Sequence, residues 1–283
     1  MEELQNLIHF SRLYGSNPEL VLAGGGNTSM KENGVLTVKA SGCSLGSIRE
    51  ENFVRLDMPK LMAIFEKEYP DDDRLREAQF LQDVSQAKLP GEEQKRPSVE
   101  ALLHALFSQR YVLHLHPALV NGLTCGAEGR QIAAELFPKA IWVDACRPGY
   151  TLAKLLSDQI TPTTETVLLQ NHGVFYASET PEGLAALLDG MLEKLRARLP
   201  GELPEMLEDV DLSQPFTPDH IVYCGVGPAL PDTENARLLY RDAQKINWYS
   251  KSFGGPLPLS RELVDFILHW EAESYRKKAS AKA

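Results

Sequence analysis

Two histidines separated by a single residue are the first feature of this chain that can do chemistry. They lie in the run Leu113-His114-Leu115-His116-Pro117. Side chains at positions i and i+2 of a β-strand point to the same face of the sheet. If residues 111–116 form a strand, the two imidazoles therefore lie close enough to bind one cation. An isolated histidine is more often a core or surface residue, so it is the spacing that favours a metal site.

A third histidine, His172, follows the apolar run 167–169 and directly precedes Gly173. A histidine at a strand end can project towards a neighbouring site, and the glycine allows a tight turn behind it. Three imidazoles with an open position are typical of catalytic zinc, whereas structural zinc has four ligands, usually cysteines. The four cysteines of the chain form no CxxC pair. We therefore predict a divalent cation, with zinc as the expected ion, held by His114, His116 and His172.

One carboxylate stands near this pair in sequence. Glu100 lies at the start of a helical pattern that runs into the strand carrying His114. It can ligate the resting metal or act as a general acid and base. An acidic residue in the first turn of a helix is also favoured by the helix macrodipole alone, so both interpretations stay open.

A glycine-rich run occupies residues 23–29, Ala-Gly-Gly-Gly-Asn-Thr-Ser. The exposed N–H groups of such a turn can hold a phosphate, although a glycine-rich hairpin turn is the simpler interpretation. The run matches neither GxxxxGK[ST] nor GxGxxG, so neither nucleotide-binding motif is indicated.

The elements that must position these residues alternate between helix and strand. Apolar periodicity and turn residues predict this alternation, which favours an α/β layered domain without settling the strand order. Segment 35–39 is expected at a sheet edge, and the charged, proline-containing segment 67–97 as a surface insertion or lid. Helices are predicted over 3–14, from Ser98, around 132–137 and 152–156, and over about 182–199; strands are predicted over 35–39, 111–116, 140–143 and 166–169.

Composition limits the classes of partner. The 283 residues are 43% hydrophobic and carry a formal charge of -10, with no basic run apart from 276–278. Nucleic acid and anionic membranes are therefore unlikely partners, and no stretch has the roughly 18 apolar residues of a spanning helix. The N-terminal segment lacks a signal-peptide pattern, so a cytoplasmic location is expected. An acidic protein that binds a phosphorylated substrate needs a local anion site.

Five short motifs occur in a definite order: GGGNTS, ASG, SVE, HLHP and QNHG. In this order they resemble the class II aldolase/adducin family over about residues 3–200. The resemblance implies an α/β fold, a layered α/β/α class II aldolase-like domain, with metal ligands His114, His116 and His172 and Glu100 as acid/base. It further implies a phosphate cradle formed by Gly26, Asn27, Ser41, Gly42 and Ser98.

The sequence departs from the family pattern at one point. Members of the fuculose-phosphate type have two serines before the glutamate, whereas this chain has Ser98-Val99, which removes one hydroxyl from the phosphate cradle. The later segments TPDHIVYCG and FILHWEAESYRKK resemble the part that joins the aldolase and dehydrogenase portions of bifunctional rhamnulose-1-phosphate aldolase/lactaldehyde dehydrogenase proteins. We therefore expect a class II aldolase domain over 1–205 and a mainly helical C-terminal appendage over 206–283 that packs on it.

By resemblance, the expected activity is cleavage of a ketose 1-phosphate of the rhamnulose or fuculose type to dihydroxyacetone phosphate and an aldehyde, through a metal-stabilised enediolate. The substrate would be a small phosphorylated sugar, and the protein a homo-oligomer, commonly a tetramer in this family. A sugar-phosphate epimerase or a sugar-acid-phosphate decarboxylase would use the same metal site. An adducin-like binding protein without catalytic activity is the alternative of another class.

Overall fold

A computed structural model describes residues 2–272 and residue 275 of the chain. Part of the tail motif FILHWEAESYRKK, and all of the basic run 276–278, lie outside these described residues. All strands, helices and contacts given for the protein belong to these residues.

Seven strands form one sheet. They are β1 (Asn27–Glu32), β2 (Val35–Lys39), β3 (Phe53–Asp57), β4 (Tyr111–Leu115), β5 (Ile141–Val143), β6 (Thr166–Leu169) and β7 (Gly173–Ser178). The order across the sheet is β3-β2-β1-β4-β7-β6-β5. Neighbouring strands are antiparallel except β5 and β6, which are parallel. Strand β4, which carries His114, therefore lies in the centre of the sheet.

Helices cover both faces of this sheet. Within residues 2–196 they are α1 (Glu2–Gly15), α2 (Met58–Met62), α3 (Asp73–Gln86), α4 (Ala101–Leu106), α5 (Ala118–Thr124), α6 (Gly129–Leu136), α7 (Tyr150–Ser157) and α8 (Pro181–Arg196). Beyond them come α9 (Pro218–Cys224), α10 (Glu234–Ser250) and α11 (Arg261–His269).

Alternation along the strands divides the core between the two faces. In β4, Leu113 and Leu115 face the apolar layer formed with α1, α5 and α8. Val112 faces the opposite layer, formed with α3, α4 and α7. β4 thus buries both of its faces, as in a three-layer α/β/α arrangement. The layered α/β class predicted from the sequence is confirmed, together with a helical C-terminal part.

The strand register determines which residues lie beside His114. Asn27 of β1 lies directly opposite His114 on one side, and Phe175 of β7 lies opposite it on the other. Residues that face each other across strands project to the same side of the sheet. The imidazole of His114 accordingly stacks on the ring of Phe175, with centroids 4.0 Å apart.

Several local expectations need correction. Segment 35–39 is a strand but is not the edge, because β3, which sequence reasoning missed, pairs outside it. Segment 67–97 is not only a surface excursion: it contains α3, whose Phe80 and Val84 are buried in the core. The helix expected from Ser98 begins three residues later, at Ala101. Strand β7 and the short helix α5 were also missed. Each directly follows a histidine motif, and the turn residues of that motif gave no sign of a further element.

The C-terminal extension is defined here as the described residues from 206 onwards, which include α9, α10 and α11. It packs on the rest of the chain mainly through α10 against α5, while α9 contacts α10 and α11. Phe216 and Ile246 share a small apolar cluster with Ala118 and Cys125. Among the described residues, no helix has the length and apolar character needed to cross a membrane.

Candidate metal centre and anion pocket

The three predicted ligand histidines lie together at one end of the sheet. His114 is the fourth residue of β4, His116 directly follows that strand, and His172 occupies the turn between β6 and β7. One ligand atom of each lies within 4.8 Å of the others. Gly173 makes this approach possible, since a Cβ there would lie 2.7 Å from His116 Cδ2 and 2.5 Å from the Leu115 carbonyl oxygen.

Hydrogen bonds at the outer nitrogens orient two of the imidazoles. Nδ1 of His114 lies 3.0 Å from the carbonyl oxygen of Val174, and Nδ1 of His116 lies 2.6 Å from Oδ2 of Asp219. Both oxygens act as acceptors, so each Nδ1 carries the proton and each Nε2 keeps its lone pair. The two Nε2 atoms face each other at 2.9 Å. Two lone pairs at that distance repel unless a positive charge lies beside them, and a cation provides one.

Glu100 completes the donor set. Its Oε1 atom lies 3.4 Å from His114 Nε2 and 3.3 Å from His172 Nε2. Ligand atoms of a tetrahedral zinc site, with bonds of roughly 2.0–2.1 Å, are about 3.3 Å apart. Oε1 is buried and accepts no hydrogen bond within the described residues. A buried carboxylate oxygen without a donor is costly. The donor set therefore fits a divalent cation.

Protonation states agree with this donor set. Burial lowers the pKa of His114 well below its ordinary value, which keeps this imidazole neutral. Burial raises the pKa of Glu100, whereas positive charge at the site of His114, His172 and His116 and the amide of Asn27 lower it below its ordinary value. A bound cation would supply that positive charge while the imidazoles stay neutral. A neutral imidazole and an ionised carboxylate are the forms that bind a metal.

A polar network fixes the second oxygen of Glu100. Asn27 Nδ2 donates to Glu100 Oε2 at 2.6 Å and to Ser98 Oγ at 3.3 Å. His104, one turn further along α4, is hydrogen-bonded through Nε2 to Asn27 Oδ1 and through Nδ1 to Ser29 Oγ. The side chain of Asn27, which the sequence predicts as a phosphate ligand, is thus hydrogen-bonded to the carboxylate of Glu100.

The five residues of the predicted phosphate cradle line one cavity beside Glu100 and His172. An isolated bridge between Ala40 and Pro97 joins the two loops that carry Ser41 and Ser98. The backbone of Gly26 has φ +60° and that of Gly42 has φ +85°, conformations that glycine adopts readily. The cradle residues are Gly26, Asn27, Ser41, Gly42 and Ser98.

Lys39 also lines this cavity, and sequence reasoning missed it. The side chain is 3% exposed, and its ammonium donates to the carbonyl oxygens of Cys43 at 2.6 Å and Gly24 at 3.3 Å. A lysine at the end of β2, directly before the Ala40-Ser41-Gly42 turn, was a signal that could have revealed it. Because Lys39 brings a buried positive charge, the cavity suits an anion although the protein is acidic.

The cavity is nearly closed. It encloses about 30 Å³, room for about one water molecule. Pro218 and Ala272 of the C-terminal extension form part of its wall. Small-molecule sites usually have several hundred Å³. Binding of a sugar-sized ligand therefore requires these covering residues to move apart.

A known bacterial protein is similar to this chain in sequence. The protein described as "Uncharacterized oxidoreductase YuxG" of Bacillus subtilis (strain 168) is 31% identical over 191 residues, which are 63% of this chain and 27% of that protein. The chain thus spans only about a quarter of the length of this relative.

Solved structures are also similar. The N-terminal class II aldolase domain of a conserved protein from Thermoplasma acidophilum shares 26% identity with a TM-score of 0.59, over 68% of this chain and 91% of that one. An L-fuculose-1-phosphate aldolase from Thermus thermophilus is more distant, at 15% identity and a TM-score of 0.43 over 68% of this chain and 92% of that one. A likeness as distant as the second carries no argument about function.

The family model described as "Class II Aldolase and Adducin N-terminal domain" matches residues 5–195. These residues include every strand of the sheet, the three histidines and Glu100. Because the match covers more than half of the chain, the protein belongs to the class II aldolase/adducin family.

Proposed function

We propose that this protein is a metal-dependent aldolase that cleaves a ketose 1-phosphate to dihydroxyacetone phosphate and an aldehyde. One observation carries the proposal: the buried Oε1 of Glu100 faces the imidazoles of His114 and His172 on one side, while the cavity with Lys39 adjoins Glu100 on the other. A binding protein of the adducin type gains nothing from such a carboxylate, because a buried charge costs free energy unless it is matched.

A divalent cation at these histidines would supply Lewis-acid stabilisation of the negative charge that develops on substrate oxygen. His114, His116 and His172 are the residues that would hold it, with Glu100 beside them. His114 and His116 are buried, which strengthens electrostatic interactions at this end of the sheet.

The reaction needs a proton at one carbon. In cleavage, the C3–C4 bond breaks and its electron pair moves towards the C2 carbonyl. The C4 hydroxyl loses a proton, which forms the aldehyde. C3 gains a proton, which completes dihydroxyacetone phosphate. Glu100 serves C3: its carboxylate removes that proton in the synthetic direction and returns it in cleavage. Asn27 holds Oε2, so Oε1 remains the reactive oxygen.

The anion cavity would orient the substrate. A phosphate among Lys39, Ser41 and Ser98 places the sugar chain towards Glu100 and His172, which line the same cavity. Fixing both ends of a small substrate turns binding free energy into correct geometry for the reaction. The overall charge of -10 repels a phosphomonoester at long range, so contact groups of this kind are required.

The direct test is a substrate screen. The full chain, supplied with zinc, is incubated with ketose 1-phosphates, a ketose 5-phosphate and sugar-acid phosphates, and dihydroxyacetone phosphate, epimers and carbon dioxide are each measured. We expect dihydroxyacetone phosphate from a ketose 1-phosphate. Release of carbon dioxide, or epimerisation without cleavage, would replace the aldolase proposal with one of the two related activities.

Lys39→Met is expected to raise KM for the phosphorylated substrate by about 10–100-fold with little change in kcat. A hydrogen bond to a charged group contributes ~1.5–3 kcal/mol, and each 1.4 kcal/mol is a factor of ten. Steady-state kinetics checks this, with Lys60→Met as the matched control because Lys60 is exposed on α2. An unchanged KM in Lys39→Met, with an unchanged melting temperature, would contradict the anion cavity.

Asn27→Asp is expected to lower kcat/KM by at least about tenfold, through kcat as well as KM. In the wild type, Glu100 Oε2 accepts a hydrogen bond from Asn27 at 2.6 Å. The carboxylate of the variant would face the same oxygen. Two like charges about 4 Å apart repel by ~4 kcal/mol at an effective dielectric constant of 20. Asn33→Asp is the control, since it adds the same charge in the exposed turn beyond β1. A change confined to KM would mean that Asn27 acts on the phosphate alone.

A further inference from the structure

The C-terminal extension contributes to the metal centre. We propose that Asp219, in α9, is a positioning residue that orients His116 for metal binding. This inference rests on the proposed function, since it concerns a ligand of the proposed cation. Asp219 lies beyond residues 5–195, which match the family model, so the carboxylate comes from outside the matched domain.

The contact between the two side chains is short and buried. His116 Nδ1 donates to Asp219 Oδ2 at 2.6 Å, and the residues are 9% and 4% exposed. A carboxylate behind a ligand imidazole fixes the tautomer, turns the opposite nitrogen towards the metal and raises its basicity. His114 has only the backbone carbonyl of Val174 in the corresponding place. Asp219 is therefore a charged group that acts on the metal centre through a histidine.

The glycine-rich run is shaped around this contact. A Cβ at Gly25 would lie 2.8 Å from Asp219 Oδ2 and 3.1 Å from His116 Nδ1. The neighbouring Gly24 donates its backbone N–H to the hydroxyl of Tyr223, also in α9, at 3.2 Å. Gly25 thus leaves room for this contact, and the backbone of Gly24 is hydrogen-bonded to the extension, in addition to any role of the run in anion binding.

A second ligand histidine is tied to the extension through its neighbour. Asn171, directly before His172, has a left-handed backbone with φ +57°. Its amide donates to the carbonyl oxygens of Phe216 at 3.1 Å and Leu257 at 2.7 Å. The extension therefore holds the turn that carries His172 as well as the ring of His116. Both sets of contacts act on the same centre.

The test compares zinc affinities of the full chain by competition with a coloured chelator. We expect Asp219→Asn to weaken binding by about 10-fold and Asp219→Ala by about 100-fold, the range usual for groups behind metal ligands. The isosteric Asn variant keeps the test valid if the Ala variant fails to fold. Glu262→Gln is the matched control: it removes a first-turn acid of α11 whose side chain is 76% exposed. Wild-type affinity in a folded Asp219→Ala would overturn the proposal.

Nitrogen-15 NMR of the metal-free protein separates this inference from the proposed function. In wild type we expect His116 to carry its proton on Nδ1, with a downfield, slowly exchanging signal that disappears in Asp219→Ala. A wild-type His116 protonated on Nε2 would overturn the positioning role, whatever the metal affinity. If wild type shows the Nδ1 proton but binds no zinc, the proposed function fails while the role of Asp219 in orienting His116 stands.

Discussion

His172→Ala is expected to abolish stoichiometric metal binding while the protein keeps its fold and melting temperature. The imidazole is one of three proposed ligands, and its side chain is partly exposed, at 14%. Its removal therefore leaves little cavity behind it. Loss of one ligand from a three-histidine site removes most of the affinity. Metal content after dialysis, measured by atomic emission, checks the result.

His114→Ala tests the same ligand set, but this substitution also affects the stability of the fold. This imidazole is fully buried and stacked on Phe175, so its removal also costs stability, by analogy with large-to-small core changes of ~2–5 kcal/mol. A loss of metal in His114→Ala is therefore ambiguous alone, whereas His172→Ala is not. His9→Ala, an exposed histidine of α1, should keep one equivalent of metal. Full metal content in a folded His172→Ala would contradict the ligand assignment.

Glu100→Gln is expected to lower kcat by about 10²–10⁴-fold, the usual size of a general acid/base contribution. Glutamine preserves the size of the side chain and can still meet the Asn27 amide through its oxygen, but it cannot take up the proton of C3. The fold and the melting temperature should therefore change little. Pre-steady-state measurement of the cleavage step is the appropriate check.

The control for Glu100→Gln is a carboxylate in a similar setting. Glu77 is also buried, at 1% exposure, and one of its oxygens accepts the backbone N–H of Tyr150 at 3.0 Å. Glu77→Gln changes a buried acid away from the histidines and should leave kcat near wild type. If Glu100→Gln also retained near-wild-type kcat, Glu100 would be only an acid at the start of α4.

The strands that carry the ligands were accessible from the sequence because their signals are local. The i, i+2 spacing of His114 and His116 needs only strand geometry, and β4 occupies the predicted place. The position of His172 at the end of β6 follows in the same way. Short-range periodicity sufficed for both, since each depends on fewer than ten neighbouring residues.

The contacts behind these ligands were not accessible in this way. Asp219 is 103 residues from His116 in sequence, and no periodicity links α9 to β4. The role of Asn27 also depends on pairing between distant strands, which brings it opposite His114 and then against Glu100. In the sequence, Lys39 looks like an ordinary strand residue. Its place in the cavity depends on the bridge between Ala40 and Pro97, which brings the loop with Ser98 close to it. Such contacts arise from tertiary packing, which overrides what a short window reveals.

Reconstitution of the metal-free full chain tests the metal-dependent aldolase most directly. Zinc is added in fractions of an equivalent, and formation of dihydroxyacetone phosphate from the ketose 1-phosphate that the screen identifies is measured at each step. We expect activity to rise linearly and to stop rising at one equivalent per chain, with no such rise for His172→Ala. Full activity in the metal-free protein, or activity that does not respond to added metal, would contradict the proposed mechanism.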